Sequence, residues 1–378
     1  MDYSKITIIG AGHGGYAAAG DLKLKGFDVT IYELPEYQSN LFPLIESGKI
    51  KMTGEISGIA HAPDIETNLQ KAVTAADIIL VISHSASHER IAEMISPYIR
   101  DNQIIVLIPG YTGGSLCFNK IFKEQGVKAR YILAETNTLP YACRKMNGES
   151  AVHIKLYVKQ IWASAFPSAQ NSVFVDAFSK LYPKVKPAEN VLEVGFHNGN
   201  PVLNVLPCLF NAGTIERAKG EYYHFQEGVT SRIAGVLEKL DEERIRVGKS
   251  LGLNVIPYLE RVMNTGYVTS NSNWHEMIST SPHLTAKGPE ELDHRYLTED
   301  VPYGLVPWFE LAKKTGVDVR LTESSITMAS YLLGQDFLES GRTLKSMGIH
   351  DMTIGQLNTY LKEGMVFLYI WINKHSVF

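Results

Sequence analysis

Three groups of residues in this 378-residue chain have the types and spacing for chemistry. The first is Gly10-Ala11-Gly12-His13-Gly14-Gly15, which directly follows the apolar run Ile6-Thr7-Ile8-Ile9. Gly10 permits a tight turn, Gly12 lets backbone approach a pyrophosphate, and Gly15 lets the next helix pack on the strand. The helix start adds unpaired N–H groups and a positive dipole end, which suit phosphate. Glu33 closes the following apolar run about twenty residues on, where a carboxylate accepts ribose hydroxyls. The pattern predicts a dinucleotide site built from Gly10, Gly12, His13, Gly14, Gly15 and Glu33, with Ser83 on the same rim. Leu34 and Pro35 follow Glu33, with no arginine beside it to receive a 2′-phosphate, so NAD is expected over NADP.

The second group is Arg295 and Asp300 in His294-Arg-Tyr-Leu-Thr-Glu-Asp-Val-Pro-Tyr303. A guanidinium can grip a carboxylate bidentately. Asp300 can neutralise it, orient a catalytic group or bind an amine; a structural salt bridge between the two is the plainer alternative. Asp300-Val301-Pro302 reads as extended, because a residue before proline avoids the helical region.

The third lies between Glu193 and Glu216, where no charged residue occurs. A helix starting at Asn200-Pro201 would carry Asn200, Asn204 and Asn211 on one face and Val202, Leu206 and Leu209 on another. A face of amides without charge predicts burial against polar partners. That face lines a cleft, or its amides bond neighbouring backbone. His197, just before that helix, is the nearest histidine. His84 and His88 follow a predicted strand ending at Ile82.

The elements needed to position these groups are legible as alternating strands and helices. Apolar runs at 78–82, 104–108 and 131–134 suit strands buried on both faces, and helical spacing separates them. The expected first half is a doubly wound parallel sheet with ligands beyond the carboxyl ends of its strands. That rim would hold Ser83, His84, Pro109, Gly110, Glu135, Thr136 and Asn137. From about residue 190 the pattern turns helical. One stripe runs from Ile233 to Leu251 and ends at Gly252, with further helices at 325–337 and 354–361. The expected division is a dinucleotide-binding unit over 1–189 and an all-helical substrate unit over 190–378.

Composition narrows the class. The chain is 45% apolar and 20% charged with net charge −4, which gives no reason to invoke nucleic acid. Cys117, Cys143 and Cys208 show no metal-binding or disulfide spacing, so no metal and a reducing cytoplasm are expected. No export signal is read at the start, and the apolar run 365–372 is too short to span a bilayer. The aromatic stretch 367–371 suggests a homodimer interface.

Together these segments resemble the octopine/nopaline (opine) dehydrogenase family. The resemblance runs through Gly10–Gly15, Pro109-Gly-Tyr-Thr-Gly-Gly114, Ala134-Glu-Thr-Asn-Thr-Leu-Pro140 and Arg295–Gly304. It implies a Rossmann domain joined to a helical domain like the C-terminal domains of 6-phosphogluconate dehydrogenases, with the active site in the cleft between them. It also implies condensation of an α-keto acid with an amino acid and reduction of the imine by a nicotinamide cofactor. Arg295 and Asp300 would then be active-site residues. The family's catalytic histidine sits in a pattern like Asn-x-Asn-x-Val-x-His-Pro; here Asn198-Gly-Asn200-Pro-Val202-Leu-Asn204 places Asn204 in that slot. An asparagine can donate to a carbonyl oxygen but cannot shuttle a proton near neutral pH, which leaves His197 or water as proton source. The alternatives are a 2-hydroxy-acid or ketopantoate-type dehydrogenase, and a dinucleotide-binding protein without catalysis.

Overall fold

The computed structural model describes residues 3–268, 273–281 and 284–365. Apart from Met365, the apolar run 365–372 and the aromatic stretch 367–371 lie outside the described residues.

Twelve strands form among the described residues: β1 (Lys5–Ile9), β2 (Asp28–Tyr32), β3 (Lys49–Gly54), β4 (Gly58–His61), β5 (Asp64–Ile65), β6 (Ile78–Val81), β7 (Ile104–Leu107), β8 (Ile132–Thr136), β9 (Tyr141–Lys145), β10 (Ala151–Tyr157), β11 (Ile161–Phe166) and β12 (Val185–Pro187). Eight make one sheet in the order β12-β11-β8-β7-β6-β1-β2-β5. Every pairing in it is parallel except β11 with β8. Register explains the two faces. Ile31, Ile8, Leu80, Val106 and Ala134 align across five strands and share one apolar cluster with the helices His13–Leu24 and Asn171–Leu181. Tyr32, Ile9, Val81 and Leu107 align on the opposite face, and that row ends at Glu135.

The opposite face carries the helices His88–Ile95 and Gly114–Glu124, and its apolar cluster continues without a break into the helical half, through Phe196, Leu206, Leu240 and Trp308. The sheet ends with Pro187, and helices follow from Val191. Among them are Asn200–Phe210, Ser231–Ser250, Tyr258–Thr265, Arg295–Thr298 and Val306–Thr315.

Three local expectations are corrected. The sequence reading missed a second sheet, β4-β3-β10-β9, which covers the outer side of helix His13–Leu24. The helix expected at 325–337 spans Arg320–Leu333 instead, because Gly334 ends it with φ +64°. Asp300-Val301-Pro302 is helical, not extended: Asp300 has φ −69° and ψ −29°, and Val301–Leu305 form a π-turn that runs into the next helix. Proline fits there because a first-turn N–H needs no partner.

No helix among the described residues is long and apolar enough to cross a membrane, and no group of three His, Cys, Asp or Glu is placed to hold a metal ion.

Candidate active site

The glycine loop bends as its residue types require. Gly10 has φ +114°, and a Cβ there would fall 2.2 Å from the Ile82 carbonyl oxygen. A Cβ on Gly15 would lie 1.9 Å from the Gly10 carbonyl oxygen, so helix and strand meet only without side chains. A Cβ on Gly12 would meet no protein atom within 4 Å. Gly12 precedes a helix whose first turn has no side-chain cap, which leaves its N–H groups directed at that open side. This cradle fits a dinucleotide pyrophosphate.

Glu33 is buried behind the loop. Its Oε2 accepts the Ala11 N–H at 2.7 Å and Asn40 Nδ2 at 3.2 Å, and its Oε1 accepts the Leu34 N–H at 2.8 Å. The carboxylate therefore fixes the loop as well as standing at the end of β2. His13 opens the helix; its Nδ1 accepts the Lys145 N–H at 3.1 Å, and burial lowers its pKa. Gly14 packs against Ile82 and Leu139, and Ser83 follows β6 on the rim. Arg90 is paired with Glu36 beyond the end of β2, so an arginine does come near that corner from another helix.

Facing this rim is a cavity of about 150 Å³. Thr138, Asn200, Asn204, Arg261 and Arg295 line it. Leu203, Phe225, Tyr258, Tyr267 and Tyr296 also line it, each tyrosine bringing both a ring and a hydroxyl, and no carboxylate does. The amide face of helix Asn200–Phe210 divides along its length. Asn200 and Asn204 reach the cavity, whereas Asn211 Nδ2 bonds the carbonyls of Pro207 and Gly228 at 2.8 Å.

Asp300 lies beneath the cavity wall, fully buried. Tyr111 Oη donates to its Oδ1 and Asn204 Nδ2 to its Oδ2, both at 2.8 Å. Burial pushes the Asp300 carboxyl up to about 7, against the opposing effects of Arg295 and the Asn204 and Tyr111 bonds. Arg295 pairs not with Asp300 but with Glu299, one turn on, at 3.0 Å. Glu299 in turn accepts the Ser85 N–H at 2.8 Å and lies 3.4 Å from His84 Nδ1, so it ties the sheet rim to the guanidinium. Burial acts to raise Glu299, but the His84 bond, the Arg295 charge and the Ser85 amide outweigh it and hold it down at about 2.

Several expected groups fall elsewhere. His197 does not line the cavity: it is 1% exposed, and its ring stacks on Trp162 with centroids 4.8 Å apart. Burial, with Arg244 and Arg261 nearby, lowers its pKa to about 3, so it stays neutral. Its backbone carbonyl accepts Arg261 Nε at 2.7 Å and Asn137 Nδ2 at 3.1 Å. His88 is likewise off the rim, fully buried and 3.3 Å from Arg342. Glu135 is buried under Gly110, and burial raises it to about 8. Arg342 bonds the carbonyls of Gly110 and Thr112 and so anchors the Pro109–Gly114 loop that carries Tyr111.

A profile of the family described as "NAD/NADP octopine/nopaline dehydrogenase, alpha-helical domain" matches residues 187–333. An opine dehydrogenase of Arthrobacter sp. is 31% identical over 355 residues, covering 93% of this chain and 97% of that protein. This chain belongs to the opine dehydrogenase family. A vitopine synthase of Allorhizobium ampelinum is 27% identical over 92% of this chain and 96% of its own. In fold, the chain is similar to octopine dehydrogenase solved with NADH and L-arginine, with TM-score 0.74, 18% identity, and coverage of 97% and 99% of the two chains. As a member of this family the chain is an NAD(P)-dependent oxidoreductase, with a Rossmann-like sheet and a helical C-terminal region.

Tyr111 and Glu299 were missed by sequence reasoning. For Glu299 the signal was present in its i,i+4 spacing from Arg295. Tyr111 stands 189 residues from Asp300, and no local pattern joins them.

Proposed function

We propose that this enzyme uses NADH to condense an α-keto acid with an amino acid, and that the chemistry occurs in the cavity bounded by Asn204 and Arg295. The amine nitrogen attacks the keto carbon, water leaves, and the C=N carbon then gains a hydride while the nitrogen keeps one proton. Bound reduced nicotinamide dinucleotide supplies that hydride. The Gly10–Gly15 turn and the start of helix His13–Leu24 would hold its pyrophosphate. Glu33, already stationed at the end of β2, would meet the adenosine ribose, which favours NAD over NADP.

Arg295 grips the keto-acid carboxylate, with Glu299 fixing its direction. Asn204 uses one N–H on Asp300 and offers its remaining polar atoms to the substrate oxygen that departs as water. Asp300 sets the field at that amide, and water supplies the proton. Free cysteines, buried or half-buried, fit a reducing cytoplasm.

The observation that carries this reading is the convergence on one cavity of a guanidinium held from the sheet rim and an amide held by a buried carboxylate. The test is coenzyme oxidation by purified protein over a matrix of keto acids and amino acids, with the mass of the product determined. Turnover that requires both partners supports it. Turnover with a keto acid alone points to a hydroxy-acid dehydrogenase, and consumption of NADPH but not NADH overturns the coenzyme assignment.

A further inference from the structure

We infer that Arg261 is a second carboxylate clamp in this cavity, and that the amino donor is therefore an α-amino acid without a cationic side chain. The inference rests on the opine-type reading above and adds to it the class of amine.

Arg261 belongs to helix Tyr258–Thr265 and is 4% exposed. Its Nε is committed to the His197 carbonyl, 2.7 Å away, which turns the rest of the guanidinium toward the cavity it lines. Among the described residues no carboxylate lies within ion-pairing distance of it. The carboxylate whose charge acts on it is Asp241, and both of its oxygens are taken. Oδ1 bonds Arg244, and Oδ2 accepts the Tyr258 N–H at 2.8 Å. Other arginines have more partners: Arg244 has Asp241 at 2.6 Å, Arg295 has Glu299 at 3.0 Å, and buried Arg342 has two carbonyls and His88, whereas Arg261 has one carbonyl and the Tyr258 ring, 5.6 Å away. A buried charge is ordinarily paired, since removing a guanidinium from water without a counter-ion is costly. Burial duly pulls Arg261 below its ordinary pKa. An anion from outside the chain resolves that tension.

The chemistry of the product matches this count. Joining an α-keto acid to an α-amino acid gives a secondary amine flanked by two carboxylates. The cavity presents two guanidiniums, Arg261 and Arg295, and no acid. With Arg295 on the keto-acid carboxylate, Arg261 takes that of the amino acid. The remaining wall is Leu203, Phe225 and three tyrosines, which favours an apolar or aromatic side chain. An arginine or lysine side chain would bring a third cation into a space already holding two, without a partner for it.

The test is calorimetric titration of the intact protein, saturated with NAD⁺, with three synthetic ligands: N-(1-carboxyethyl)phenylalanine, N-(1-carboxyethyl)arginine, and the analogue of the first that lacks the phenylalanine carboxylate. We expect the first to bind at least about tenfold more tightly than either other ligand, the scale of one charge-assisted pair. Arg261→Met should weaken the first ligand by about 30-fold or more while changing pyruvate affinity less than about threefold; Arg261→Lys, which keeps the charge, should recover most of the loss. Equal or tighter binding of the arginine derivative overturns the inference while leaving the opine-type reading intact. So does an Arg261→Met protein that binds the first ligand as well as wild type. If none of the ligands binds and no keto acid and amino acid pair consumes NADH, the underlying reading falls and takes the clamp with it.

Discussion

The Arg295 guanidinium is paired with Glu299, 3.0 Å away, although Asp300 is the next residue along. The two carboxylates are thereby separated in function. Glu299 is held ionised by Arg295, His84 and the Ser85 amide, while Asp300 is buried among Tyr111 and Asn204 with its pKa raised to about 7.

Replacing Glu299 by Gln should release Arg295 from the sheet rim and raise KM for the keto acid by about tenfold with a smaller effect on kcat, the scale of one charge-assisted bond. Stability gives an independent check. Because the folded pKa of Glu299 is about 2, below the usual carboxyl value, its stabilising contribution is present above that usual value and lost as pH falls through about 2. The gap in melting temperature between wild type and Glu299→Gln should therefore narrow as pH falls from about 5 toward 2.

Asp300 should govern a limb of the pH profile near 7. Tyr111 donates to the ionised carboxylate and so favours it. Tyr111→Phe should move that limb to higher pH by about one unit, the equivalent of a bond worth roughly 1.5 kcal/mol. Asp300→Asn should remove the limb and lower kcat about 100-fold. An unmoved profile in Tyr111→Phe would detach Asp300 from the limb.

Asn204→His would place an imidazole beside the Asp300 carboxylate, now within 2.8 Å of the asparagine amide. A group able to carry a proton at neutral pH should raise kcat by about tenfold or more. A wild-type protein inert toward every substrate pair, with turnover appearing in this variant, would favour a dinucleotide-binding role for the natural chain.

The glycine loop offers a separation of folding from binding. Gly15→Ala forces a Cβ to within 1.9 Å of the Gly10 carbonyl oxygen and should lower the melting temperature. Gly12→Ala meets no protein atom within 4 Å and should leave melting nearly unchanged while weakening NADH by about tenfold or more. Fluorescence titration of NADH alongside thermal melts reads both.

What the sequence made visible was set by local rules. Gly10 and Gly15 were legible because a Cβ cannot fit where the turn and helix close on themselves. Arg295, Asp300 and Asn204 were legible through their motif. The Tyr111–Asp300 bond was not, because it spans 189 residues and two halves of the fold. His197 illustrates the opposite failure: its position beside the amide helix suggested chemistry, but Trp162, on β11, takes its ring. Ile50 and Met52, like Val152, Ile154 and Leu156, alternate as half-buried strands do, so the second sheet carries its own local signal, weaker than that of a continuous apolar run.

The apolar cluster that joins Val81 and Leu107 of the sheet to Phe196, Leu206 and Trp308 of the helices belongs to neither half alone. Parting the halves like jaws would expose it to water, at a cost that grows with the apolar area bared. For the same reason heating should melt sheet and helices in one cooperative step, seen in calorimetry as a single peak.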